Sequence, residues 1–137
     1  MNRTLEFASH PGNLRLMREF VRKFLTPTPL TPAETDLMIL GLDEACTNII
    51  RYAYHGDEAQ PILLACEQDA HAVTFRLRDL GQQCDPTKLC GRSLDEARPG
   101  GLGIHLIKKA FDEVRYDLKD RGTELVLVKH FKTAAPC

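Results

Sequence analysis

Apolar positions recur along this chain first in alternation, then at helical spacing, then in alternation again. Leu5 and Phe7 alternate weakly within residues 2–9 and predict a short first strand. From 11 to 25, Leu14, Met17, Val21, Phe24 and Leu25 return every three or four positions, with Arg15, Arg18, Glu19, Arg22 and Lys23 between them. That spacing predicts an amphipathic helix with a basic outer face. The segment Thr26-Pro-Thr-Pro-Leu-Thr-Pro32 ends it, because a residue ahead of proline is pushed out of the α region. A second helix has a defined start: Thr31 as N-cap, Pro32 in the first turn and Glu34 three residues after the cap form a capping box. Its apolar residues Leu42, Ala45, Cys46, Ile49 and Ala53 carry it to about Tyr54, before His55-Gly56-Asp57.

Two strands follow, 61–67 and 72–79; in the second, Val73, Phe75 and Leu77 alternate with Thr74, Arg76 and Arg78. Between 81 and 99 the periodicity disappears and Gly, Pro, Asp and Ser accumulate, and an irregular stretch of that length is more often functional than idle. Pro99-Gly-Gly-Leu-Gly103 opens a third helix, continued by Ile104, Ile107, Ala110, Phe111 and Val114. The chain closes with a hairpin: Val114, Tyr116 and Leu118 alternate, Asp120-Arg-Gly122 turns, and 123–131 is strongly apolar. The order β-α-α-β-β-loop-α-β-β predicts an α/β two-layer sandwich, a mostly antiparallel mixed sheet with helices on one face, in a single domain spanning 1–137.

Composition narrows the function classes. At 137 residues, 43% hydrophobic and 27% charged, the chain has the profile of one soluble globular domain. A formal net charge of −1 supplies no field for nucleic acid or an anionic membrane. No apolar run is long enough to span a bilayer and no signal-peptide pattern opens the chain, so a cytoplasmic location is expected. Cys46, Cys66, Cys84, Cys90 and Cys137 lack the paired short spacings of a zinc site and read as reduced thiols.

The candidate chemistry starts on the second helix. Glu44 and Asn48 are one turn apart and share a face, so a carboxylate able to take a proton sits beside an amide oxygen able to bind a hard cation. A solvated polar helix face is the competing explanation. Asp79 shares the parity of Val73, Phe75 and Leu77 and so ends the buried face of its strand, where a bare carboxylate is costly. It either caps a neighbouring element or accepts from a ligand such as the exocyclic amine of adenine. Gly81 beyond it allows close approach of a ligand or a positive-φ turn. Gly100, Gly101, Leu102 and Gly103 expose backbone N–H groups at a helix start, which suits phosphate oxygens, or else they merely cap the helix.

In this order the motifs resemble the GHKL ATPase fold. They are most similar to the small serine/threonine protein kinases that act as anti-sigma factors in bacterial partner switching. Glu44-Ala-Cys-Thr-Asn48-Ile-Ile-Arg-Tyr-Ala-Tyr54 resembles the N box, Asp79-Leu-Gly81 and Gly100-Gly-Leu-Gly103 the two glycine boxes, and Gly122-Thr123 the terminal Gly-Thr element. The likeness runs from Leu5 to Phe131. It implies ATP and Mg²⁺ as cofactors, with Asn48 on the metal and Glu44 as general base on a serine or threonine hydroxyl. It also implies Asp79 on the adenine amine with Thr123 in support, Gly81 against the base, residues 82–99 as an ATP lid, and the Gly101–Gly103 amides on the phosphates.

The implied partners are a STAS-domain anti-anti-sigma protein as substrate and a sigma factor or other effector, with homodimerisation common in the family. A nucleotide-gated binding protein with little or no kinase turnover is the alternative, and a fold that no longer binds nucleotide is a third. The chain departs from the family pattern at Gln83, where a second glycine is usual, at Tyr52, where histidine is frequent, and at Ile49, where a small residue is frequent.

Overall fold

A computed structural model of the protein describes residues 1–83 and 99–132, of which 99–104 are described for their backbone course alone. Cys84, Cys90 and Cys137, and positions 84–98 of the expected lid, lie outside the described residues.

The elements follow the predicted order: β1 (Asn2–Ala8), α1 (Leu14–Leu25), α2 (Pro32–Asn48), β2 (Pro61–Gln68), β3 (Ala72–Arg78), α3 (Pro99–Ala110), β4 (Glu113–Leu118) and β5 (Thr123–His130). The five strands form one sheet in the order β1-β2-β3-β5-β4, and every adjacent pair is antiparallel rather than mixed. The capping box forms as the sequence requires: Glu34 N–H donates to Thr31 Oγ1 at 3.1 Å, and Thr31 N–H donates to Glu34 Oε1 at 3.0 Å. Two boundaries differ from expectation. Residues 11–13 are a 3₁₀ turn, with His10 Nδ1 accepting from Gly12 N–H, so α1 begins at Leu14. Val114 fits both a helical series and a strand alternation. Asp112 N–H bonds to the Val128 carbonyl and draws it into β4.

Ile62, Leu64 and Cys66 of β2, Val73, Phe75 and Leu77 of β3, and Leu125 and Leu127 of β5 point to one face and are buried. The three helices cover that face, contributing Met17, Val21, Met38, Leu42, Cys46 and Ile107 to the same core. Phe75 sits at its middle, edge-on to Phe24 at 6.4 Å and to Phe111 at 6.0 Å. The opposite face is polar: Arg76 reaches Glu67 at 2.8 Å and Glu124 at 3.5 Å. The basic face of α1 is partly neutralised by α2, through Arg18–Asp43 at 2.7 Å and Arg22–Asp36 at 3.0 Å. These exposed pairs orient the two helices more than they stabilise them.

Two observations set the direction of α3. Lys129, at the far end of β5, lies 3.7 Å from Glu34 at the start of α2 and 3.8 Å from Asp112 just after α3. The start of α2 and the end of α3 therefore share one edge of the layer, and the helices run antiparallel. Gly41 makes their crossing close, since a Cβ there would stand 3.1 Å from Ala110 Cβ and 3.3 Å from Phe111 Cε2. The end of α2 and the glycine-rich start of α3 consequently meet at the opposite edge, where β3 ends.

Candidate functional site

At that edge α2 does not stop cleanly. After Asn48 the chain makes a π-helical turn, Ile49–Ala53, in which Tyr54 N–H reaches back five residues to the Ile49 carbonyl at 2.9 Å. Such widened turns recur at functional sites because they redirect the last side chains of a helix. Here the turn leaves the Ala53 carbonyl free to accept from Gln82 N–H at 2.8 Å. Tyr54 is buried beside it and its hydroxyl joins two more elements, donating to the Pro61 carbonyl at 2.5 Å and accepting from Leu80 N–H at 2.8 Å.

The end of β3 is thereby clamped to the end of α2, and Gly81 is the contact point. A Cβ at Gly81 would lie 2.4 Å from the Ala53 oxygen and 2.8 Å from Tyr54 Cδ1. Gly81 has no positive φ, so the turn role that the sequence allowed is not the one used, and the close approach is that of the protein's own helix end. The side on which a Cβ would project is filled by the protein's own helix end.

Asp79 is 4% exposed, at the parity expected of it. Its Oδ1 accepts from Gly81 N–H at 2.9 Å, and its own N–H donates to the Thr123 carbonyl at 3.0 Å. Burial raises the carboxyl above the usual carboxylate range, and the amides of Gly81 and Thr123 and the charge of Arg78 only partly offset this. Thr123 is buried against it at the start of β5. Gly122 before it is held at φ +76°, where a Cβ would lie 2.0 Å from the Asp79 carbonyl oxygen. Asp79, Gly81 and Thr123 thus form one hydrogen-bonded group.

Glu44 and Asn48 lie on the last turns of α2 and both are partly exposed. Among the described residues the Glu44 side chain makes no hydrogen bond or ion pair. Asn48 Oδ1 is enclosed and has no hydrogen-bond partner among the described residues. A buried amide oxygen left unpaired is expensive, and a hard cation would satisfy it. No cluster of three or more His, Cys, Asp or Glu able to hold a metal occurs among the described residues. Gly100, Gly101, Leu102 and Gly103 form the first turn of α3, and only their helical backbone is described. Cys46 and Cys66 are buried free thiols, the latter pushed up to about 12 by desolvation.

Sequence reasoning missed Tyr54 as the tie between three elements and missed the π turn that makes the tie available. The one available signal was the pair of adjacent β-branched residues Ile49-Ile50, which crowd a regular helix.

A family model described as a histidine kinase-like ATPase domain matches residues 7–129. The serine/threonine-protein kinase BtrW of Bordetella bronchiseptica is 32% identical over 97 residues, covering 68% of this chain and 68% of that protein. The anti-sigma F factor of Clostridium beijerinckii is 26% identical over 137 residues, covering 96% of each. The solved structure of the RsbU and RsbW domains of a Mycobacterium tuberculosis protein superposes with a TM-score of 0.66 at 16% identity, covering 93% of this chain and 32% of that one. That last likeness is one of fold alone.

Proposed function

The chain belongs to the histidine kinase-like ATPase domain family, in its branch of bacterial partner-switching kinases. From this membership we propose that it is an ATP-dependent serine/threonine kinase and anti-sigma factor, whose substrate is a STAS-domain antagonist. The observation that carries the site assignment is the enclosed, unpartnered Asn48 Oδ1, at the edge where Asp79 and the start of α3 converge. Its chemistry fits Mg²⁺ carried by ATP. Asn48 would hold that ion, which supplies charge neutralisation to the phosphates.

Asp79, supported by Gly81 and Thr123, would fix the adenine amine, and the backbone amides of Gly101, Leu102 and Gly103 would receive phosphate oxygens at the start of α3. The Glu44 side chain is unpaired among the described residues and partly exposed, as a base that receives an incoming serine or threonine hydroxyl would need to be. The hydroxyl oxygen bonds to the γ-phosphorus, the bond bridging to the β-phosphate breaks, ADP leaves, and the hydroxyl proton passes to the Glu44 carboxylate. Positioning and charge neutralisation supply most of the acceleration in such a transfer.

Among the described residues no helix is long and apolar enough to cross a membrane. A cytoplasmic setting, a sigma factor or other effector as the second partner, residues 82–99 as a lid over the nucleotide, and a homodimer complete the proposal. The test is incubation of the protein with labelled Mg-ATP and the STAS-domain protein of its own organism. Label on a serine or threonine of that protein is the expected result. Nucleotide binding without any label would replace the kinase by a nucleotide-gated binding protein.

A further inference from the structure

Gln83 stands where the resemblance leads one to expect a second glycine, and its side chain is engaged in a way no glycine could imitate. Its Nε2 donates to the Gly122 carbonyl at 2.8 Å and also to the Lys119 carbonyl. Both acceptors belong to the turn joining β4 to β5. That turn reaches back: Arg121 Nε donates to the Leu80 carbonyl at 3.2 Å. Beyond the last paired residues of β3 and β5, Arg78 and Glu124, the backbone supplies one further bond, Asp79 N–H to the Thr123 carbonyl. Among the described residues the other hydrogen bonds joining the end of β3 to the turn come from side chains, and Gln83 contributes two of them.

We propose that Gln83 is a positioning residue for nucleotide binding: its amide holds the Lys119–Gly122 turn against the end of β3 and so keeps Thr123 packed on Asp79. The inference rests on the nucleotide-site reading given above. The turn does not depend on Gln83 to form, because Lys119 N–H closes it on the Gly122 carbonyl at 3.1 Å. Gln83 sets where the finished turn sits relative to Asp79. Its loss should therefore weaken the grip on nucleotide while leaving the fold in place.

Gln83→Glu and Gln83→Gly separate this role from space filling. The glutamate variant keeps the shape but has no hydrogen to donate, and its charge faces two carbonyl oxygens. Both variants should weaken binding of a fluorescent Mg-ADP analogue by roughly 3- to 10-fold, the worth of one or two hydrogen bonds. The change should appear chiefly as faster release. In Gln83→Glu the loss should shrink as pH falls towards the carboxyl range, and in both variants KM for ATP should rise more than kcat falls. Wild-type affinity in Gln83→Glu, or a loss confined to kcat, would overturn the proposal. A wild-type protein that binds no Mg-ADP would overturn the nucleotide-site reading itself, an outcome distinct from equal binding by wild type and variants.

Discussion

Deleting one oxygen atom, in Tyr54→Phe, probes how the site is held together. The ring is buried and keeps its packing, while the hydroxyl that accepts from Leu80 N–H at 2.8 Å and donates to the Pro61 carbonyl at 2.5 Å is lost. Each backbone group left unpaired in a buried setting costs about 1–3 kcal/mol. Both positions are part-buried, so water recovers some of this and the sum comes to about 2–3 kcal/mol. With a urea m-value of about 2 kcal/mol/M, the unfolding midpoint should fall by about 1–1.5 M at unchanged slope. Leu80 lies between Asp79 and Gly81, so affinity for Mg-ADP should fall as well, by about 10-fold. There is also an alkaline signature. Burial raises the Tyr54 pKa in the folded state, so its stabilising contribution is complete below about pH 10 and fades as pH rises past that point. The phenylalanine variant should lack that component. A midpoint shift below about 0.25 M with unchanged Mg-ADP affinity would refute the claim that this hydroxyl holds the strand end.

Asp79→Asn should separate stability from binding. The folded-state pKa of Asp79 lies above its unfolded value, so its favourable contribution is present below about pH 4 and is lost as pH rises. At pH 7 the ligand-free variant should melt at or above the wild-type temperature, with the gap closing in acid, while Mg-nucleotide affinity drops by at least about 10-fold. A wild type clearly more stable than the variant at pH 7 would contradict this. Gly81→Ala should cost about 1–3 kcal/mol, because its methyl would meet the Ala53 carbonyl oxygen at 2.4 Å and force the strand end off the helix. Urea unfolding reads it, and an unperturbed midpoint would mean that the strand end has slack.

Much of this arrangement was legible in the sequence because local rules and burial agreed. The Thr31–Glu34 capping box specifies its own geometry within four residues. The parity of Asp79 follows from Val73, Phe75 and Leu77, because a strand alternates faces whatever surrounds it. What was not legible depends on distant partners. Nothing near residue 49 announces that a hydrogen bond from Gln82 awaits the Ala53 carbonyl, so the helix reads as regular to Tyr54. That Gly81 is pressed against Ala53 and Tyr54 at the helix end is equally invisible in the sequence. Arg18 and Arg22 read as a solvated basic face until α2 brings Asp43 and Asp36 beside them. The antiparallel course of α2 and α3 likewise emerges only through Lys129, which contacts both ends.

The central claim is the division of duties along one turn of α2. On the proposal above, Asn48 would hold the Mg-nucleotide and Glu44 would take the proton during transfer. The direct test measures Mg-ADP binding and phosphoryl transfer to the STAS-domain substrate side by side in Glu44→Gln and Asn48→Ala. Glu44→Gln should bind Mg-ADP within about 3-fold of wild type while transfer falls by about 10²- to 10⁴-fold, and Asn48→Ala should lose Mg-dependent binding itself. Wild-type transfer by Glu44→Gln, or undiminished Mg-dependent binding by Asn48→Ala, would contradict the account.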